Sequence, residues 1–170
     1  MAIRAGIVTV SDKGARGERE DRSGALIEEL LEGIPAQVVF REVVPDEVEE
    51  IRQVLLWGCD EMKVDLIVTT GGTGVAPRDV TPEATREVIE RELPGFSEAM
   101  RMKGFERTPH AIISRAVCGV RGRTLIVNLP GSPRAVREGL EVILPAIPHT
   151  IEKIKGDEGE CWKEVEDADL

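Results

Sequence analysis

The stretch Asp65-Leu-Ile-Val-Thr-Thr-Gly-Gly-Thr-Gly74 decides how this chain folds. Its apolar, β-branched first half is typical of a buried parallel strand. The strand stops at the glycines, where missing side chains let backbone N–H groups approach a ligand closely. Thr81-Pro82-Glu83 then has the pattern of an N-cap, a first helical residue and a first-turn acid. Strand, glycine-rich loop and helix start are the place where open α/β sheets bind anionic ligands.

The alternative for this glycine-rich loop is a tight turn that binds nothing, because such turns serve many ends. The chain contains no GxxxxGK[ST] sequence, which excludes an ordinary P-loop NTPase.

Length and charge exclude several classes of protein. A chain of 170 residues is long enough for one domain with a real core. Its formal net charge of −10 argues against binding nucleic acid by phosphate neutralisation. No apolar run approaches the roughly 18 residues of a membrane span, and the start of the chain leads into a strand without a signal-peptide pattern. We therefore expect neither a nucleic-acid nor a membrane partner.

The cysteines and histidines indicate no metal centre or disulfide framework. Cys59, Cys118 and Cys161 are odd in number and widely spaced, and His110 and His149 lie far apart in sequence. This usage suits a reducing cytoplasm, which we take as the expected location. Each histidine is expected to be a surface or loop residue rather than a catalyst.

The remaining pattern predicts a three-layer αβα fold with a mostly parallel sheet and an antiparallel hairpin at its edge. Asp21 caps one predicted helix, and Asp46-Glu-Val-Glu49 resembles a capping box that opens another. Ser132-Pro133 caps a third, which Pro145 and Pro148 are expected to bend or end early. A polar loop is expected over Lys13–Glu20. The predicted strands cover Ile3–Val10, Val38–Val44, Val64–Thr69, Ala116–Val120 and Thr124–Leu129, and two further helices cover Ala84–Glu92 and Gly95–Phe105.

We expect one domain over residues 1–155 and an acidic tail over residues 156–170. The tail is expected to be frayed or to pack only at Trp162.

Four segments carry possible chemistry, and all are predicted at strand ends or helix starts. They are Ser11-Asp12, Gly71 to Thr81, Ser114-Arg115 and Asn128-Leu-Pro-Gly-Ser-Pro133. The last is a second glycine-bearing turn whose Ser132 hydroxyl and following amides suit an anion; a plain helix cap is the alternative.

Two aspartates in or near these segments have competing interpretations. Asp79 suits Mg²⁺ binding or the orientation of a nucleophile, and an Asx-type turn ahead of Thr81 is the alternative. Asp46 is explained completely by helix capping, so a catalytic role competes with a strong structural one.

Seven motifs in order resemble the MogA/MoaB family of molybdenum cofactor biosynthesis, which is related to the gephyrin G domain. The resemblance covers the chain up to about Ile154, and the Gly17–Gly24 loop is more similar to MogA than to MoaB. The motifs are Thr9-Val-Ser-Asp12, Asp21-Arg-Ser-Gly24, Thr69-Thr-Gly-Gly-Thr-Gly74, Arg78-Asp-Val-Thr-Pro-Glu-Ala-Thr85, Pro94-Gly-Phe96, Ser114-Arg115 and Asn128-Leu-Pro-Gly-Ser-Pro133.

The resemblance implies Mg²⁺-dependent transfer of AMP from ATP to the terminal phosphate of molybdopterin, with release of pyrophosphate. It also implies a MoeA-like molybdate insertase as a possible partner and a homotrimeric assembly. Two alternatives remain: a MoaB-like molybdopterin-binding protein with weak or no transferase activity, and a gephyrin-like scaffold module.

The resemblance also implies roles for individual residues. Asp46 and Asp79 match acidic residues implicated in catalysis, with Asp79 as the candidate Mg²⁺ ligand. The residues implied to bind substrate are Ser11, Asp12, Gly71, Gly72, Thr73, Gly74, Ser114, Arg115, Asn128, Pro130, Gly131 and Ser132. The Gly71–Gly74 and Asn128–Ser132 segments would cradle the pterin and its phosphate.

Overall fold

The centre of the molecule, in a computed structural model that describes residues 2–159, is one six-stranded sheet. The strands are β1 (Ile3–Val10), β2 (Ala36–Val44), β3 (Leu66–Thr70), β4 (Arg91–Glu92), β5 (Cys118–Arg121) and β6 (Thr124–Leu129). They lie in the order β2-β1-β3-β6-β5-β4. The first four in this order run parallel, whereas β5 is antiparallel to both β6 and β4.

Seven helices within residues 2–159 connect and cover these strands. They are α1 (Asp12–Ala15), α2 (Arg22–Leu31), α3 (Val48–Leu56), α4 (Thr81–Val88), α5 (Pro94–Phe105), α6 (Pro133–Ile143) and α7 (Ile147–Ile154). A π-helical turn (Trp57–Glu61) extends α3, and 3₁₀ turns lie at Pro109–Ile113 and Leu144–Ala146. None of these helices combines the length and apolar character that crossing a membrane requires.

The alternation of side chains along the strands divides the core into two layers. Ile7, Val68 and Val127 pack on one face against α2, α5, α6 and α7. Their neighbours Val8 and Ile67 pack on the other face against α3 and α4. Because both faces are covered, the central strands are apolar along their length. The predicted three-layer αβα fold is confirmed.

Several local predictions are confirmed. Asp21 caps α2 by accepting a hydrogen bond from Gly24 N at 2.8 Å. Ser132 caps α6 by accepting from Ala135 N at 3.2 Å. The helix ends at Ile143, two residues before Pro145, and gives way to a 3₁₀ turn. The β5–β6 hairpin forms the predicted antiparallel part of the sheet.

The predicted helix Ala84–Glu92 is wrong in its second half. Helix α4 ends at Val88, and Arg91–Glu92 form the edge strand β4, where Arg91 pairs with Val120. A strand of two residues is too short to show alternation, so the pattern contains no signal for it. Strands β1 and β6 have the predicted bounds, and the ends of β2, β3 and β5 differ from prediction by at most two residues, which is normal for boundaries read from a pattern.

Two predicted helix caps are also wrong, because tertiary contacts use the side chains elsewhere. The N-cap of α4 is Val80, and the Thr81 hydroxyl donates to Gly71 O at 2.9 Å. The N-cap of α3 is Glu47, whose side chain makes no capping bond. The expected polar loop Lys13–Glu20 begins inside α1, which Ser11 caps through Gly14 N.

Two of the three cysteines lie within the described range. Cys59 and Cys118 are free and buried. Cys161 and the predicted contact at Trp162 lie outside the described residues.

Candidate functional site

The candidate site lies at the carboxyl edge of the sheet. Strands β1, β3 and β6 are parallel neighbours, and their last residues lie side by side. Ser11, Gly71 and Pro130 follow directly after these strands. The topology therefore brings three of the four predicted segments to one place, as expected for a ligand site in an open α/β sheet.

Two cavities open at this edge. The β1 cavity has a volume of about 830 Å³, and its wall includes Ser11, Asp12, Asp46, Gly71, Asp79 and Ser132. The α5 cavity has a volume of about 500 Å³, and its wall includes Gly74, Met100, Arg101, Ser114, Pro130 and Gly139. Gly72, Asp79 and Gly131 line both cavities. The two spaces are therefore adjacent and share one wall.

Gly72 must be a glycine for two independent reasons. Its φ of +67° lies in the left-handed region, which costs other residues free energy. A Cβ atom at this position would lie 2.3 Å from Thr81 Oγ1 and 3.2 Å from Asp46 Oδ1. The glycine thus allows the first turn of α4 and the Asp46 carboxylate to approach the loop that separates the cavities.

Asp12 and Asp46 join the loops after β1 and β2. Asp12 N donates to Asp46 Oδ2 at 2.9 Å, and Asp46 N donates to Asp12 Oδ1 at 3.0 Å. Arg78 adds a two-pronged contact to Asp12, at 3.0 and 2.9 Å, and a further bond to Glu47 at 2.9 Å. Asp46 therefore joins two loops at the β1 cavity, and its predicted role as a helix cap is wrong.

The two carboxylates of this pair titrate differently. The hydrogen bonds from Arg78 lower the pKa of Asp12 below its ordinary value. Burial raises the pKa of Asp46; the negative charges of Asp12 and Asp79 act in the same direction, against the hydrogen bond from Asp12 N. A nearby cation would therefore favour the ionised form of Asp46, against the effect of burial.

Asp79 closes the loop that carries it. Its carboxylate accepts from Ala76 N at 2.9 Å, and its own N–H donates to Ala76 O at 2.9 Å. The Asp79 carboxylate therefore accepts from a residue three positions earlier in the chain. In the predicted Asx-type turn it would accept from a later residue, so that alternative is wrong. Because Asp79 also lines both cavities, it lies where two bound molecules would meet.

The structure does not bring two of the predicted binding residues to a cavity wall. Asn128 is fully buried, and its amide bonds Thr69 Oγ1, Thr85 Oγ1 and Val117 N. The Arg115 guanidinium donates to backbone carbonyls and pairs with Glu83.

The other predicted residues divide between the two spaces. Ser11, Asp12, Asp46, Gly71 and Ser132 line the β1 cavity; Thr73, Gly74, Ser114 and Pro130 line the α5 cavity; Gly72, Asp79 and Gly131 line both.

Sequence reasoning missed the cationic residues of both walls. Lys13, Arg19 and Arg22 line the β1 cavity, and Arg101 lines the α5 cavity, as does the imidazole of His110. Arg101 also donates to the carbonyls of Ser114 and Ala116, which ties α5 to the segment before β5. Nothing in the local pattern marks these residues, although the resemblance of the Gly17–Gly24 loop to MogA drew attention to the neighbourhood of Arg19 and Arg22.

The oxygen ligands at the β1 cavity are compatible with Mg²⁺. Between residues 2 and 159, no three His, Cys, Asp or Glu side chains group as a preformed metal site. Mg²⁺ does not need such a group, because it is commonly held by one or two carboxylates together with substrate phosphates and water. Asp46 and Asp79 line the same wall and provide those carboxylates.

Comparisons with known proteins agree with this geometry. A family model described as a probable molybdopterin binding domain matches residues 6–149. The chain is 46% identical over 159 residues to a molybdopterin adenylyltransferase of Helicobacter pylori, covering 92% of this chain and 90% of that protein. It is 39% identical over 178 residues to the molybdopterin adenylyltransferase of Escherichia coli, with 96% and 91% covered.

A solved structure with high sequence identity has the same fold. The molybdopterin biosynthesis enzyme MoaB from Thermus thermophilus superposes with a TM-score of 0.87 at 55% identity, covering 91% of this chain and 98% of that one. Since family model, relatives and structure all match along most of the chain, the protein belongs to the MogA/MoaB family of molybdenum cofactor biosynthesis.

Proposed function

We propose that this protein is a molybdopterin adenylyltransferase, which transfers AMP from ATP to the terminal phosphate of molybdopterin and releases pyrophosphate. The observation that carries the proposal is the pair of cavities that meet at Gly72, Asp79 and Gly131. Transfer between two substrates requires that both be held with their reacting groups adjacent. A protein that only binds the pterin has no need for the second space.

The β1 cavity suits the nucleotide. Lys13, Arg19 and Arg22 bring positive charge to its wall, where a polyphosphate needs it. Asp46 and Asp79 would hold Mg²⁺, which when bound neutralises phosphate charge and orients the phosphates. Ser11 and Ser132 also line this cavity, and their hydroxyls can donate hydrogen bonds to a nucleotide.

The α5 cavity suits the pterin. Met100, Ile113 and Ala135 form apolar parts of its wall, and Ser114 and Thr108 add polar groups. This combination is typical of sites for flat heterocycles, in which apolar walls bind the ring and a few polar groups orient it. The Gly72–Gly74 loop lies at the end that adjoins the β1 cavity, so the terminal phosphate of the pterin would point there.

The reaction then depends on alignment. An oxygen of the pterin phosphate attacks the α-phosphorus of ATP, a new P–O bond forms, and the bond to the bridging oxygen breaks as pyrophosphate leaves. No protein side chain needs to act as a covalent nucleophile, because the substrate phosphate attacks directly. What the chain supplies is two cavities in fixed relation and charge around the phosphates.

The test is to incubate the protein with molybdopterin, ATP and Mg²⁺. We expect adenylylated molybdopterin and pyrophosphate in equal amounts, and loss of both products when a chelator removes the metal. Molybdopterin binding without AMP transfer would contradict the proposal and select a MoaB-like binding protein. The observation that favours this alternative is the similarity to the Thermus thermophilus structure, which carries the MoaB name.

We further propose that the protein forms a homotrimer in the cytoplasm and passes its product to a MoeA-like molybdate insertase. An exposed apolar surface on α5 and the following 3₁₀ turn supports the assembly: Met102, Phe105, Ile112 and Ile113 are 72, 54, 63 and 44% exposed. Several exposed large apolar side chains on neighbouring elements are typical of protein interfaces.

Light scattering and a pterin titration test the assembly. We expect a trimeric mass, and a monomeric mass at micromolar concentration would contradict it. Because each cavity is built within one chain, we expect each subunit to bind one pterin independently; a sigmoidal isotherm would contradict that.

A further inference from the structure

We propose that Arg115 is a positioning residue, which holds the segment Gly74–Asp79 closed and thereby fixes Asp79 between the two cavities. The family resemblance pointed instead to a direct contact between Arg115 and the substrate. The consequence for catalysis rests on the proposed function, whereas the consequence for the segment does not.

The contacts of Arg115 join both ends of the segment to the helix that follows it. Its Nε donates to Gly74 O at 2.7 Å, and its Nη2 donates to Asp79 O at 2.8 Å. Its Nη1 pairs with Glu83 in the first turn of α4. Its backbone N–H donates to Thr73 O at 2.8 Å. One side chain thus ties the beginning and the end of the loop to α4.

Apart from the contacts of Arg115, hydrogen bonds rather than buried side chains hold the segment. Residues 75–78 are exposed, and Val75 is 70% exposed despite its apolar side chain. Loops with few buried contacts owe their order to hydrogen bonds. Within the loop, those bonds are the two between Ala76 and Asp79, and outside it the Arg78 contacts reach across to Asp12 and Glu47.

The planar guanidinium explains why arginine is suited to this role. Three acceptors in different directions match its rigid fork of N–H donors, and a lysine ammonium of similar charge does not reproduce that geometry. Three of the five N–H donors of this guanidinium, one on each nitrogen, are occupied by protein acceptors. Arg115 lines neither cavity wall, so a direct contact with a bound phosphate would require the side chain to move away from these acceptors.

The experiment compares Arg115→Ala and Arg115→Lys with wild-type protein by amide hydrogen exchange and steady-state kinetics. Arg121→Ala is the matched control, because Arg121 also pairs with a carboxylate, Asp60, and bonds a backbone carbonyl but lies away from both cavities. We expect exchange over residues 74–79 to become at least about tenfold faster in Arg115→Ala. We expect kcat to fall at least about tenfold while the KM values for molybdopterin and ATP change less than about threefold.

Two results would overturn the proposal. A rise of about tenfold or more in the KM for molybdopterin with unchanged exchange would show a direct substrate contact. Unchanged exchange and unchanged kcat would show that the contacts of Arg115 are dispensable. If Arg115→Ala does not fold, Arg115→Lys provides the test. We expect faster exchange over residues 74–79 in that variant as well, and exchange at the wild-type rate would contradict the proposal. If wild-type protein transfers no AMP, the proposed function fails, and the exchange comparison still tests whether Arg115 holds the segment.

Discussion

The β1 cavity and the α5 cavity share a wall but are built in different ways. Hydrogen bonds to carboxylates assemble the first, where Asp12, Asp46 and Arg78 join three loops. Helix faces form much of the second, where Met100 of α5 and Gly139 of α6 pack together. Charged groups suit phosphates and metal ions, and the apolar parts of helix faces suit the flat surface of a heterocyclic ring. The difference indicates which substrate each cavity takes, and it is open to experiment.

The largest effect should come from the wall that the cavities share. Asp79→Asn removes a charge and keeps an oxygen that can accept from Ala76 N, so we expect the loop to keep its shape. Turnover should fall at least about a hundredfold, or roughly 2.7 kcal/mol, while pterin affinity is largely retained. Product formation and a pterin titration measure the two quantities.

The matched control for Asp79→Asn is Asp60→Asn, which removes a carboxylate outside both cavities. It should leave turnover unchanged. Near-wild-type turnover in the Asp79 variant would remove this residue from the mechanism.

A second substitution should affect the binding of one substrate and not of the other. Ala135→Leu adds bulk to the α5 cavity, which Ala135 lines, and leaves the β1 cavity untouched. We expect molybdopterin to bind at least about tenfold more weakly, or roughly 1.4 kcal/mol, and ATP to bind as in wild type. Separate titrations with the two ligands provide the measurement.

Ala25→Leu serves as the control, because Ala25 is an exposed helical alanine that lines neither cavity. Weaker ATP binding with normal pterin binding in Ala135→Leu would reverse the assignment of the cavities.

The smallest effect is expected at Asp46. Asp46→Asn keeps an acceptor for Asp12 N and removes the charge, and we expect turnover to fall about fivefold. Because the folded protein raises the pKa of Asp46, ionisation of this group costs stability as the pH rises from the ordinary carboxyl range to the raised value, and the cost persists above it. At neutral pH the Asn variant should therefore be at least as stable as wild type.

Asp46→Ala completes this comparison. It also removes the acceptor of the Asp12 N–H, so we expect a loss of about 1 kcal/mol of unfolding free energy. Thermal unfolding of both variants measures these effects. Full activity in Asp46→Asn would limit Asp46 to a structural role, and a marked loss of stability in that variant would contradict the direction of the pKa shift.

The residue pattern predicted much of the fold and the location of the site. The strand before Gly71, the Asp21 and Ser132 caps and the end of α6 near Pro145 depend on neighbours within a few positions, so short-range rules apply. Once strands β1, β3 and β6 are taken as parallel, their carboxyl ends must meet at one edge. The sequence therefore predicts that the glycine-rich loop and the second turn lie together.

The roles of single side chains depended on partners far away in the chain. The residue type and position of Asp46 suggest a helix cap, yet its carboxylate accepts a hydrogen bond from Asp12 N, 34 positions away. Arg115 is a residue type that often contacts phosphate, yet its side chain donates to Gly74 O, 41 positions away. Asn128 is fully buried and bonded, although its turn suggested a ligand contact.

The difference between the features that the sequence predicts and the side-chain roles that it does not predict has a physical origin. Strand alternation, helix caps and proline breaks are set by backbone geometry over one or two turns, and the amino-acid order therefore determined the αβα layers and the edge at which ligands bind. A polar side chain, in contrast, bonds whichever donor or acceptor the folded chain brings within about 3 Å. Which carboxylate faces the β1 cavity, and which arginine supports the loop between the cavities, was decided only when the three loops packed together.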